Sequence, residues 1–477
     1  MWDKLSPVWL VTRRELRDQL RDWRVLTPLL ILTVFFPILM NAFSQMTVDF
    51  LNQYNAELIL DRLVPFSVLI IGFFPITVSL VVALESFVGE KERGTIEPLL
   101  SSPLENWQLY FGKLVLGVFT PLIASYLSIT FYLIMVARQG LEMPPWYIIV
   151  QLTILTTAHA ILMVSAAMVI SVQSTSVKAA NLLASFIVIP VAVLMQGEAA
   201  LLFWGNEDVL WLAVAAVTIL ALLIIRVGIA HFQREYLLGR EIDVINLSWI
   251  ARTFWKDFRG GATSIVDWYG RSVRPSVQKL ATPTMLIVVI AGIGVWLGYD
   301  WIMQNLPTAL EKVSPEDLQR LITRAEATPD LRQLRERFSA SFLFMNNTRA
   351  IVMILLAGLV SFSVLGIVLY LVNISLLGGL FGTFQLLGIS PWPLFLAGVL
   401  PHGMFEIPAL MLGSAAVLYM GVALVTPQTG RSMGEVLIEL LADWVKVFIG
   451  IVIPLLAVAA LIEAYITPII LLAIMKR

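Results

Sequence analysis

GEKERGTIEPLLSSPLENWQLYFGK, residues 89–113, is a charged island between two apolar runs at 63–84 and 114–137. Each run has about the 20 residues that cross roughly 30 Å of hydrocarbon at about 1.5 Å per residue. Such runs recur along nearly the whole chain. The protein has 477 residues, 58% of them hydrophobic and 14% charged, far below the roughly 25% charge of a soluble domain. The composition therefore predicts an all-α polytopic membrane protein.

Net charge is −1, so nothing global points to nucleic acid. The chain has no cysteine, which removes disulfides, thiolate metal sites and a cysteine nucleophile. The motif HExxH is also absent, so zinc-protease chemistry lacks its usual groups. The charged N-terminal segment is too long for a cleavable signal, and 25–43 reads as a retained helix.

Six spans are expected in the first half, at 25–43, 63–84, 114–137, 146–172, 182–202 and 209–225. Lys4, Arg13, Arg14, Arg17, Arg21 and Arg24 precede the first span, and Lys91, Arg93 and Lys113 flank or occupy the island. The bias of Lys and Arg toward inner loops puts the N-terminus and the island in the cytoplasm. Leu5, Trp9, Leu16, Leu20 and Trp23 share one helical face, which predicts an interfacial helix on the inner leaflet of the lipid bilayer.

Residues 236–281 hold no spanning run and mix basic with aromatic residues. They read as an amphipathic cytoplasmic linker between a domain at 1–235 and a domain at 282–477. The second domain is expected to hold four or five spans: 284–303, an external segment 304–347 with a helical hairpin, 350–372, 404–425 and 447–474. An amphipathic helix at 432–446 is expected to lie on the membrane. Whether 374–401 crosses or re-enters is open from sequence, and with it the side of Lys476 and Arg477.

In the island, Glu85, Glu90, Lys91, Glu92, Arg93 and Glu97 are crowded together, Gly94 breaks the helix, and Pro98 and Pro103 fix direction. Alternating charge on a short rigid element suits docking, although inner loops of membrane proteins often carry charge only to set topology. The pattern ExxxxEKERGTxExLLxxP followed by xLxxGK resembles that of ABC-2 family transporter permeases, and within them the sodium-exporter-like branch. The resemblance covers about 1–235. It implies a coupling element in this chain that docks on a separate ABC ATP-binding subunit, formed by Glu90, Lys91, Glu92, Arg93, Gly94, Thr95 and Glu97 and closed by Gly112 and Lys113. No GxxxxGK[ST] loop occurs in the chain, so ATP and magnesium would be held by the partner and no cofactor by this chain. Six spans would be half a transporter, which implies a second permease copy or a related permease.

The second half resembles the stage II sporulation protein M group over about 275–477. The residues that carry this are Phe344, Asn346 and Asn347; Asn373, Gly378 and Gly379; Pro401, His402, Gly403, Glu406 and Pro408; and Ile462, Glu463, Ala464, Thr467 and Pro468. His402 and Glu406 lie at i and i+4, on one helix face, and Glu463 sits deep in an apolar run. Asn373, His402, Glu406 and Glu463 are expected to form an intramembrane polar cluster, either ion-responsive or simply hydrogen-bonded across helices. Two side chains on one face are too few for a coordination shell, so no metal is expected. His159, beside Thr156 and Thr157, reads as an interhelical hydrogen-bonder.

The function expected from these features is the transmembrane subunit of an ATP-driven exporter in a bacterial inner membrane. Two alternatives are a membrane scaffold or envelope-remodelling component driven by an ATPase, and a sodium or other ion exporter.

Overall fold

Backbone amides in hydrocarbon find no water, so apolar runs of spanning length pair their N–H and C=O groups internally and become helices. A computed structural model describes residues 2–53, 57–97, 101–174, 176–203, 207–232, 247–311, 339–426 and 433–475. No strand occurs among them. The protein is an all-α polytopic membrane protein, with ten helices among the described residues long and apolar enough to cross a bilayer. The chain forms two compact units, Met1–Ile245 with Val425–Pro427, and Asn246–Leu424 with Gln428–Arg477.

The first unit runs α1 (Trp2–Gln19), α2 (Trp23–Gln53), α3 (Glu57–Glu92), α4 (Asn106–Arg138), α5 (Trp146–Gln173), α6 (Val177–Leu183), α7 (Ser185–Phe203) and α8 (Glu207–His231). Helix α3 packs against α2, α4 and α5, and α5 packs on α8. The expected fifth span differs from the others. A turn at Ala184 separates α6 from α7, and the apolar part of α7, Ile187–Leu202, is only about 24 Å long at about 1.5 Å per residue. Apolar residues flank the turn on both sides and neither Gly nor Pro marks it, so residue type alone does not reveal it.

Helix α1 has two working faces. Trp9, Leu20 and the neighbouring Trp23 are exposed, as suits contact with lipid. Val8, Val11 and Thr12 are buried, and α1 packs along α4. The close approach depends on Gly112, where an added Cβ would stand 2.8 Å from the Val11 Cβ. Thr12 Oγ1 donates to the Gly112 carbonyl at 3.0 Å.

The second unit runs α9 (Leu247–Arg259), α10 (Ile265–Trp268), α11 (Arg274–Gln278), α12 (Ala281–Glu311), α13 (Ala340–Val360), α14 (Val364–Leu386), α15 (Pro391–Gly398), α16 (Leu400–Leu424), α17 (Met433–Val447), α18 (Ile453–Tyr465) and α19 (Thr467–Met475). Residues 236–246 of the expected linker lie outside the described residues, and the rest belongs to this unit. The expected external hairpin falls at 312–338, also outside them, while residues 304–311 and 340–347 are the ends of α12 and α13.

The run 350–372 is two helices rather than one span. The chain turns at Phe362 and Ser363, whose φ values are 47° and 77°, a region unfavourable for residues other than glycine. Serines hold the turn: Ser361 Oγ accepts from Leu365 N–H at 2.9 Å, and Ser363 Oγ donates to the Val417 carbonyl. The helix expected to lie on the membrane is also revised. Helix α17 continues through the π-helical turn Phe448–Val452 into α18, and its Asp443 is turned inward. That carboxylate accepts from Lys279 Nζ at 2.7 Å, Lys446 Nζ at 2.7 Å and Ser276 Oγ at 2.8 Å. Burial pulls the Lys279 ammonium pKa down, but the hydrogen bond and charge of Asp443, with the charge of Glu439, outweigh it and leave the pKa raised.

Candidate functional site

Helix α3 ends where the island begins. Gly94 has φ +68°; its N–H bonds the Lys91 carbonyl at 3.2 Å and the Thr95 N–H bonds the Glu90 carbonyl at 3.0 Å. This is the Schellman pattern, in which a left-handed residue just past a helix satisfies its last carbonyls. Ile96, just beyond, is buried and anchors the turn.

The residues expected to form the coupling element divide into two sets. Lys113 is 5% exposed, and its ammonium donates at 3.0 Å each to Glu15 Oε1, Glu90 Oε1 and the Ser86 carbonyl, which uses all three of its donors. Lys91 Nζ donates to the carbonyls of Val172 and Ser174 at 2.7 and 3.2 Å, placing a cation at the C-terminal end of α5. Glu92 Oε1 accepts from the Val177 N–H at 2.8 Å, placing an anion at the start of α6. Glu90, Lys91, Glu92, Gly112 and Lys113 thus bind α1, α3, α4, α5 and α6 together. Arg93, Gly94, Thr95 and Glu97 are exposed.

Lys113→Met should therefore act on folding. It leaves Glu15 and Glu90 facing each other without their cation, at a cost of about 3 kcal/mol. Thermal unfolding in detergent is expected to show the loss, and adding Glu15→Gln and Glu90→Gln should restore much of it.

In the second unit one ligand atom from each of His402, Glu406 and Glu463 lies within 4.8 Å of the others. His402 and Glu406 come from α16 and Glu463 from α18. Asn373, expected to join them, instead donates to the Leu369 carbonyl of its own helix at 2.8 Å. Beside Glu406 lies Asn347 of α13, and His402 Nδ1 lies 3.2 Å from Thr467 Oγ1.

His159 sits opposite an acid, Glu198, that the sequence reading did not pair with it. His159 Nδ1 lies 3.0 Å from the Leu155 carbonyl, while Nε2 stands 3.4 Å from Glu198 Oε1, both side chains being almost wholly buried. Among the described residues neither Glu198 oxygen has a hydrogen bond. The signal for Glu198 was a lone acid within the apolar run of α7.

Residues 9–206 match the family described as ABC-2 family transporter protein, and residues 284–468 match Stage II sporulation protein M. The chain is a fusion of these two families. Its ABC-2 domain contains the island and makes it a membrane permease of an ABC transporter. Its sporulation-M domain contains the cluster of His402, Glu406 and Glu463. An uncharacterized protein of Methanocaldococcus jannaschii is 27% identical over 189 residues, 39% of this chain and 94% of that relative.

Proposed function

We propose that the chain is the permease subunit of an ATP-driven exporter, and that a separate ATPase subunit docks on the exposed edge formed by Arg93, Gly94, Thr95 and Glu97. The observation that supports this is the division of the island. Glu90, Lys91, Glu92 and Lys113 fasten α3 to the helices around it, Gly112 seats α1 on α4, and the exposed remainder stands at the end of that fastened body. A push on the edge would move α3 with α4 and α1 as one piece rather than fold back a loose loop, which is how nucleotide-driven motion reaches a transport path. A second permease copy or related permease would complete the path, in a bacterial inner membrane with the island on the cytoplasmic side.

Affinity purification from native membranes tests the reading. A complex containing an ATP-binding subunit with a phosphate loop is expected; this chain recovered alone, under conditions that preserve known transporter complexes, would count against it. Reconstitution of that complex in sealed vesicles then separates export from scaffolding. Export requires ATP-dependent movement of a solute or lipid probe, whereas hydrolysis that moves none of the probes favours envelope remodelling.

A further inference from the structure

We propose that His402, Glu406 and Glu463 form a binding site for one divalent transition-metal ion of the zinc or manganese class. One imidazole and two carboxylates are a donor set these metals accept. Ligands on a single zinc stand about 2.0–2.2 Å from it and so about 3–4 Å apart. The three donor atoms are within 4.8 Å of one another without any ion, a gap that small rotations of two flexible glutamate side chains close.

Charge supports the assignment. Glu406 feels the charge of Glu463, and among the described residues neither carboxylate has a lysine or arginine partner. Two anions this close repel, and the apolar helices around them offer little solvation. A divalent cation with two carboxylates and a neutral imidazole is a site of zero net charge. A lone polar pair would need none of this convergence, which draws on three helices and the start of a fourth.

The surrounding groups are arranged as partners of ligands. Thr467 Oγ1 is placed to accept a hydrogen from His402 Nδ1, leaving the Nε2 lone pair for the ion, and the Asn347 carboxamide lies beside Glu406. Metal-bound histidine is commonly held this way through its other ring nitrogen, and loss of such a partner typically weakens binding about 10–100-fold. Short helices α15 and α19 pack against each other beside this end of the bundle, where a Cβ added at Gly398 would stand 3.5 Å from Leu471 Cδ1. The site therefore lies where α18 gives way to α19, and an ion there would tie α16 to that junction.

The test uses the full-length protein in detergent, stripped with a chelator and dialysed. Cobalt(II) titration is expected to give visible absorption bands that saturate at one equivalent per chain and are displaced by zinc. With three histidines and no cysteine in the chain, few other sites could produce such bands. Glu463→Gln and Glu406→Gln, each near-isosteric, should weaken cobalt binding at least 10-fold, and Thr467→Val should weaken it less. Asn373→Ala and His159→Gln should leave it unchanged. Absence of a one-equivalent transition in the folded wild-type protein would overturn the proposal. So would binding that survives both glutamine substitutions in variants that elute as the wild type does on size exclusion.

Discussion

Arg93→Glu combined with Glu97→Lys is expected to lower affinity for the ATPase subunit at least ~100-fold while leaving the permease folded. Both side chains are exposed, and neither is among the residues that fasten α3 to its neighbours. Surface substitutions of that kind usually change stability by no more than about 0.5 kcal/mol. At a docking surface the same charges face complementary ones. Inverting both converts attraction into repulsion, and at about 1.4 kcal/mol per tenfold change a loss of about 3 kcal/mol gives the stated effect, within the range of desolvated charge contacts. Pull-down of the co-expressed ATPase at several salt concentrations, alongside unfolding of the permease alone, measures the two quantities separately. Unchanged association in the double variant would remove the exposed edge from the interface. Lys113→Met supplies the opposite pattern: reduced stability, with ATPase binding retained by whatever fraction remains folded.

That contrast also shows how far residue types could carry the reading. The island's place between spans and its break at Gly94 follow from chemistry written in the sequence. Which charges face inward does not, because Lys113 meets Glu15 across α1 and α4, positions far apart in the chain. The stripe Val8, Val11, Thr12 has helical spacing, but the face carrying Trp9, Leu16 and Leu20 is the more strongly apolar one. At Phe362 and Ser363 the turn uses serine hydroxyls in place of Gly, Asn or Pro, so a hydropathy window runs straight across it. Two of the three cluster residues on the second unit share a helix face and were paired by spacing alone. Glu463 needed the packing of α18 on α16, and Asn347 reaches Glu406 from α13, a neighbour that spacing along the chain does not reveal.

Gly378→Leu is expected to abolish the folded second unit, and Gly378→Ala to destabilise it severely, whereas Gly379→Ala should be tolerated. Helices α12 and α14 run parallel and meet along Gly294 and Gly298 on one and Gly378 and Gly382 on the other, a four-residue spacing of small residues that lets helices approach closely in membranes. The backbones touch. A Cβ at Gly378 would stand 1.8 Å from the Val295 carbonyl oxygen, and one at Gly298 would stand 1.9 Å from the Ser375 carbonyl oxygen. Backbone atoms cannot rotate away as side-chain ends do, so the helices must separate and surrender their contact, beyond the roughly 1–3 kcal/mol of ordinary overpacking. Tyr370 Oη donates to the Ile287 carbonyl at 3.2 Å and Tyr299 Oη to Gln385 Oε1 at 3.0 Å, and both bonds break if the pair parts. Gly379 is the internal control: its added Cβ meets only Ile302 Cγ1 at 3.5 Å and the Gly298 carbonyl oxygen at 3.8 Å, ordinary contacts. Alanine there also recovers up to about 1 kcal/mol of helix propensity. Yield of monodisperse protein and thermal unfolding in detergent compare the three variants; equal stability of the two alanine variants would show that the close contact between α12 and α14 does not hold this unit together.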